Sequence, residues 1–314
     1  MAASTPAAPV SLTLGDRLQQ LRVRLSNSEN LYGLAFVGPL VLGLIVFTYG
    51  PVIYSAWLSL TEGNYLRPPV WVGLANYGRA MQDPVAQRAL VNTAYFVVGT
   101  VPLGIGLALL LSVAMNQKLR GIVFYRAIFF LPTITSAVAI SLMWAWMYNP
   151  QFGVINTLLK TIGIKGPKWL ASPDWAMPSI MIMAIWRGLG YNMLLFLAGL
   201  QSIPKELLEA AEIDGANAVQ RFFRVTLPLL SPTTFMLVVL SIIGAFQVFE
   251  YSYVMTQGGP LYSTLTAVLL VYQKGFQTFE VGYASALAYI LFAIILALTV
   301  VQFRLQTRWV SYDL

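Results

Sequence analysis

The sequence contains no cysteine and no histidine. Those absences remove disulfides, thiolate nucleophiles, zinc sites built on Cys and His, haem ligation through His, and any Ser-His triad. Charge is scarce as well. Asp, Glu, Lys and Arg make up 10% of the 314 residues, against about 25% in soluble chains. A water-facing surface cannot be built from so few charges. The pattern G-x-x-x-x-G-K-[ST] is missing, and no Gly-Lys pair occurs. The chain therefore carries no phosphate-cradling loop with which to hydrolyse ATP.

What is present is apolar. Hydrophobic residues make up 58% of the chain, and mean hydropathy is +0.70. A transmembrane helix needs about 20 largely apolar residues. Six stretches qualify: 34–60, 89–115, 122–147, 176–200, 233–255 and 283–303. The expected fold class is an all-α integral membrane protein with six transmembrane helices. Residues 1–33 read as a retained N-terminal tail. No apolar signal-peptide core lies among Asp16, Arg17, Arg22, Arg24 and Glu29, and the Ala/Pro/Ser-rich tip is expected to be poorly ordered. Residues 305–314 form the C-terminal tail. Prolines 39, 51, 102, 132 and 178 fall within spans. Each removes or strains a helix hydrogen bond, and ordinary kinks are the simplest reading of any one of them.

The net charge of +7 is scattered rather than clustered, which suits loops held at an anionic membrane surface better than nucleic acid. With the N-terminus in the cytoplasm, eleven basic residues fall inside: Arg17, Arg22, Arg24, Lys118, Arg120, Arg126, Lys205, Arg221, Arg224, Arg304 and Arg308. Seven fall outside: Arg67, Arg79, Arg88, Lys160, Lys165, Lys168 and Lys274. Arg187 stays within a span. The bias places both termini in the cytoplasm. The three lysines of the loop 149–175 run against it.

The loop 202–232 is long and helical in character. Ser202 can cap, Pro204 suits a first helical position, and Lys205 to Glu212 are strong helix formers. Asp214-Gly215 ends that helix, and Asn217 can cap a second short one over 218–226. Ala210 and Ala211 leave a shallow side that a partner can approach, with Glu206, Glu209 and Glu212 beside it to meet Arg or Lys. A lipid-lying helix would favour Lys and Arg on its polar face instead.

Glu209-Ala210-Ala211, then Gly215, then Val225-Thr226-Leu227-Pro228 resembles the E-A-A-x3-G-x9-I-x-L-P motif of ABC-importer permeases, with Val225 in place of Ile. The resemblance covers 88–304, a five-helix permease core whose coupling loop is 202–232. Tyr49-Gly50-Pro51 in the first helix, 34–60, is similar to the carbohydrate-uptake branch. Phe246 to Glu250 and Thr256-Gln257-Gly258-Gly259-Pro260 resemble that branch's first permease subunit, of the maltose and glycerol-phosphate type. The resemblance implies a type I importer permease in a bacterial or archaeal plasma membrane. It further implies alternating access, a homologous second permease subunit, two ATPase subunits that hold the ATP and magnesium, and an extracytoplasmic solute-binding protein. Glu209, Ala210, Ala211, Asp214, Gly215, Leu227 and Pro228 would then couple to the ATPase. No cofactor or metal is expected in this chain.

A charge at the bilayer centre costs about 2.5–3.5 kcal/mol on insertion scales. Arg187 and Glu250 should therefore face protein or a wet cavity. They either pair to fix helix packing or touch substrate. Sugars want flat aromatic faces and polar groups. Trp144, Trp186, Tyr191, Asn192, Phe246, Gln247 and Tyr251 supply both, against the alternative of an interfacial aromatic belt. Arg187 and Tyr191 share one helical face, as do Gln247, Glu250 and Tyr251. Gly258, Gly259 and Pro260 make either a contact for the binding protein or a connecting turn. An oligosaccharide is the expected cargo, with a phosphorylated polyol as the alternative that Arg187 keeps open. The rival class is a stand-alone secondary transporter, which would need an ion gradient rather than ATP and no ATPase partner.

Overall fold

The structure, a computed structural model, describes residues 28–64, 67–117 and 120–310, together with Gly15. Most of the tail expected at 1–33 lies outside the described residues, as do Lys118 and residues 311–314. The chain divides into two compact units, Met1–Trp57 and Leu58–Leu314.

Helix α1 (Ser28–Leu44) passes through a π turn, Ile45–Tyr49, into α2 (Gly50–Ser59). The stretch Ala35–Ser59 is long and apolar enough to cross a membrane. Phe36, Leu40, Phe47 and Ile53 are exposed along it, which in lipid costs nothing.

In the second unit a hairpin, β1 (Thr61–Asn64) and β2 (Arg67–Trp71), pairs antiparallel with Thr61 opposite Trp71. Helix α3 (Ala75–Gln82) follows, and Asn76 secures the hairpin by donating to the Ser59 and Thr61 carbonyls at 3.0 and 2.8 Å. Then come α4 (Pro84–Met115), α5 (Ile122–Ile134), α6 (Ala137–Met147), α7 (Val154–Thr161) and α8 (Pro173–Ser202). The short helices α9 (Lys205–Ile213), α10 (Ala218–Arg221) and α11 (Leu227–Leu229) lead into α12 (Ser231–Phe246). Last are α13 (Glu250–Thr256), α14 (Ala267–Tyr272) and α15 (Val281–Gln306).

Helices α4 and α8 form the spine. Phe96 packs with Met177 to Met183 near their N-terminal ends. Ala108 meets Phe196 further along, with Leu237 of α12. The two helices therefore run in the same direction. Phe246 joins Val97, Val101 and Leu291, so α12 runs against them and α15 with them. Leu200, Ile203 and Leu230 close the core at the end that carries 202–232.

Two of the expected spans are not single helices. The third is broken at Thr135-Ser136, where α5 and α6 meet at 98°. Pro132 inside α5 removes an amide donor, and Thr135 is extended. The fifth, expected over 233–255, ends at Phe246, and residues 247–249 separate it from α13. At its other end, Ala218–Leu229 meets α12 at 63°. Among the described residues four helices are long enough to span a membrane, or six if each bent pair counts as one span.

Close packing of α5 on α8 depends on Gly190, where a Cβ would stand 2.1 Å from the Phe129 carbonyl oxygen. Gly188, two residues earlier, has open space. Gly190→Ala should therefore destabilise the protein by about 1–3 kcal/mol through backbone displacement. Gly188→Ala should leave thermal unfolding in detergent unchanged or slightly raised.

Candidate functional site

A cleft of about 450 Å³ opens between α4, α8 and the end of α12. Phe96, Thr100 and Gly104 form one wall, and Gly188 and Asn192 of α8 another. The third is Ser241 to Tyr251, built across the 247–249 break. Backbone freed from a helix at this depth is tolerated where it lines a cavity or is buried in protein. Of the predicted pathway residues, Asn192, Gln247, Glu250 and Tyr251 line this cleft.

Arg187 lies beside it and does not pair with Glu250. Its guanidinium donates to the Tyr251 hydroxyl at 3.1 Å, to the Thr135 carbonyl at 3.3 Å, and more distantly to that of Thr133 at 3.5 Å. The Thr133 hydroxyl donates back to the Arg187 carbonyl at 3.0 Å. Arg187 thus ties off the break between α5 and α6. Glu250 is exposed at the start of α13, where the helix N-terminus favours an anion. The break also overturns the shared face expected for Gln247, Glu250 and Tyr251, since Gln247 lies within it and the others follow it.

Trp144 and Trp186 face each other with ring centroids 5.4 Å apart, and Trp144 also meets Tyr148 at 5.3 Å. The Trp144 Nε1 and Arg187 Nε donors are buried without a protein partner. Tyr191 is exposed outside the cleft. Phe246 is a correction. It is buried in the cluster with Val97, Val101 and Leu291, because α12 ends there and turns its last ring inward. Thr133, Thr135 and Thr100 were not among the predicted residues, and Pro132, one of several span prolines, is the only local sign of the break beside them.

At the far end of α8, Leu208 packs with Leu200, Ile203 and Leu230 and seats α9. Glu209 and Ala210 are exposed, Ala211 half-buried. The Asp214, Gly215 and Ala216 amides donate back to Ala210, Glu212 and Ala211. Gly215 has φ +82°, the left-handed conformation that ends the helix. Asn217 and Gln220 exchange hydrogen bonds at 2.9 Å and start α10. Ser202 does not cap α9, since its hydroxyl bonds back to Gly199 and Pro204 occupies the cap. Glu212 pairs with Arg221 within the loop, its side chain still largely exposed. Exposed Ile213, Val219 and Phe223 flank the acidic residues, an apolar component that the spacing did not signal. Leu227 is half-buried and Pro228 exposed.

Gly258 has φ +89°, and Thr264 donates to the Gly259 carbonyl at 2.8 Å. Gly258, Gly259 and Pro260 thus form a hydrogen-bonded turn. The exposed tip is Leu261-Tyr262. Asn92 of α4 pins it, donating to the Tyr262 and Leu265 carbonyls at 2.7 and 2.9 Å.

On the same face, Glu280 pairs with Arg79 at 2.5 Å and Lys274 at 2.8 Å. Tyr283 donates to Asp83 at 2.7 Å, with the Arg79 guanidinium 4.1 Å from the Tyr283 ring centre. Burial works to raise both carboxyls. For Asp83 the Tyr283 hydroxyl and the Val85 and Ala86 amides outweigh it, and for Glu280 the Lys274 and Arg79 hydrogen bonds and charges do. Both titrate below their ordinary values.

A family model described as "Binding-protein-dependent transport system inner membrane component" matches residues 100–311. The chain is 38% identical over 290 residues to the probable ABC transporter permease protein YesP of Bacillus subtilis (strain 168), covering 91% of this chain and 93% of that one. It is 36% identical over 278 residues to the sn-glycerol-3-phosphate transport system permease protein UgpA of Agrobacterium fabrum, covering 88% and 94%. Its fold is similar to a chain of a bacterial alginate ABC transporter solved in complex with alginate pentasaccharide-bound periplasmic protein. There the TM-score is 0.82 at 23% identity, over 92% of this chain and 98% of that one.

Arg187→Ala should lower the amount of folded protein, since the Thr133 and Thr135 carbonyls and the Tyr251 hydroxyl lose the donor that joins them across the break. Glu250→Gln should insert normally and lower uptake about tenfold or more. Quantitative membrane blots beside uptake assays check both. A depressed carboxylate contributes stability above its unfolded value and loses it as pH falls through the folded one. Glu280→Gln should therefore unfold at a lower temperature at neutral pH, and its gap to the parent should close as acidification passes below the ordinary glutamate range and through the lowered folded value.

Proposed function

Because the chain belongs to the binding-protein-dependent transport system inner membrane component family, we propose that it is one of two permease subunits of a type I importer that moves an oligosaccharide into the cytoplasm by alternating access. The chain is a multi-pass membrane permease and not itself a hydrolase. Its partners in this reading are a homologous permease, two ATPase subunits holding ATP and magnesium, and an extracytoplasmic binding protein. Both termini and the loop 202–232 lie in the cytoplasm, and the Gly258–Tyr262 turn meets the binding protein or the incoming ligand.

One observation carries the proposal. The cleft at Asn192 and the exposed acidic helix at Glu209 sit along and beyond one uninterrupted helix, α8. ATP binding closes the ATPases, and their movement reaches the spans through Glu209, Ala210, Ala211, Asp214 and Gly215. The loop must contact the two ATPase states differently, or no shift follows. Leu227 and Pro228 return the chain to α12.

A sugar is favoured over a phosphorylated polyol by the cleft's charge. Its lining includes Glu250 and no Lys or Arg, and Arg187 is engaged by Tyr251 and two carbonyls. A phosphate would meet no free counter-charge. ATPase stimulation of the reconstituted complex, with binding protein and a panel of neutral and phosphorylated solutes, tests this choice.

Glu209→Lys and Gly215→Asp should leave membrane insertion intact while uptake and recovery of the ATPase with the permease are lost. Normal uptake in both variants would remove the proposed coupling role.

A further inference from the structure

The segment between α6 and α8 has no part in the cleft or the coupling loop, and its chemistry is distinctive. From Asn149 to Pro173 it holds three lysines and no acidic residue. Its helix α7 has two apolar sides. Ile155 and Leu159 turn inward onto the core around Trp169 and Met177. Val154, Leu158 and Ile162, spaced by four, are exposed on another side, with Phe152 and Ile164 beside them.

The lysines do not lie at random. Lys160, Lys165 and Lys168 all line a hollow of about 480 Å³. Asn156 holds its walls together, donating to the Pro150 and Pro167 carbonyls at 3.3 and 3.2 Å and accepting from Trp169 Nε1 at 2.6 Å. Among the described residues none of the three lysines has an ion-pair partner.

Position identifies the occupant. The segment joins α6, the second half of the bent pair that counts as one span, to the membrane-spanning helix α8, so it lies where α8 leaves the bilayer. Helix α8 has 30 residues, about 45 Å at 1.5 Å per residue, which matches a bilayer with its headgroup layers. Trp175, exposed and packed edge-on against the buried Trp169 with rings 5.7 Å apart, marks the interfacial level at its start. An exposed apolar stripe beside lysines at that depth suits acyl chains below and anionic headgroups above. We propose that residues 149–172 are a membrane-surface anchor, with Leu158 and Ile162 seated in the lipid and Lys160, Lys165 and Lys168 binding the phosphate of an anionic phospholipid. This accounts for three lysines on the face where the loop charges otherwise call for few.

The absence of cysteine makes the test direct, because Leu158→Cys gives this chain a single thiol. The complete transporter carrying a nitroxide there would be reconstituted in phosphatidylcholine vesicles with and without phosphatidylglycerol. The label should be accessible to oxygen and shielded from a nickel chelate, more so with phosphatidylglycerol. Combining it with Lys160→Gln, Lys165→Gln and Lys168→Gln should abolish the phosphatidylglycerol effect, each lysine carrying roughly fivefold in lipid preference. A label open to nickel in both vesicles would overturn the proposal. So would one shielded only after the binding protein is added, which would make this face a protein contact. Shielding that neither phosphatidylglycerol nor the lysines alter would overturn headgroup binding.

Discussion

The arrangement around the cleft depends on one guanidinium. Pro132 and the extended Thr135 interrupt a helix at a depth where lipid supplies no hydrogen bonds. Arg187 meets the carbonyls this interruption frees and reaches Tyr251 on the far side. One side chain from α8 thereby joins α5, α13 and the third cleft wall. A half-buried cation among carbonyl dipoles and a hydroxyl offsets part of its desolvation cost without a carboxylate. That leaves Glu250 free of the structural duty the sequence suggested for it.

Much of the fold is legible in the sequence because the membrane imposes it. Lengths near 20 apolar residues mark α4, α8 and α15 directly. The loop 202–232 is equally readable, since Asp214-Gly215 and Asn217 encode helix ends by local chemistry. The two broken spans are not readable in the same way. Hydropathy averages over a window and passes through Thr135-Ser136 and 247–249 without notice. Pro132 is one of several span prolines, and Pro102 and Pro178 sit within unbroken helices. Whether a proline bends or breaks a helix depends on what can satisfy the freed carbonyls, and Arg187 is 54 residues from Thr133 in sequence.

The same distinction separates the pathway residues that converge from those that do not. Asn192, Gln247, Glu250 and Tyr251 come together because a break turns the chain back toward α8. Phe246 has the same aromatic character but is the last residue before that break, and it packs inward. The choice between a contact and a core position is made by backbone direction at one residue, which composition does not encode.

Helix α8 has no interruption from Pro173 to Ser202, whereas the opposite cleft wall is built across the joint at 247–249. Asn192 stands about 15 Å from Ser202 along a rigid rod. In the proposed importer, a displacement applied at the loop end would reach the Asn192 wall as translation along that rod, while the wall carrying Gln247 and Glu250, interrupted at 247–249, would swivel. The aperture would then be set by the difference between a strut and a hinge, so that a push at one end of the molecule becomes a change of width at its middle.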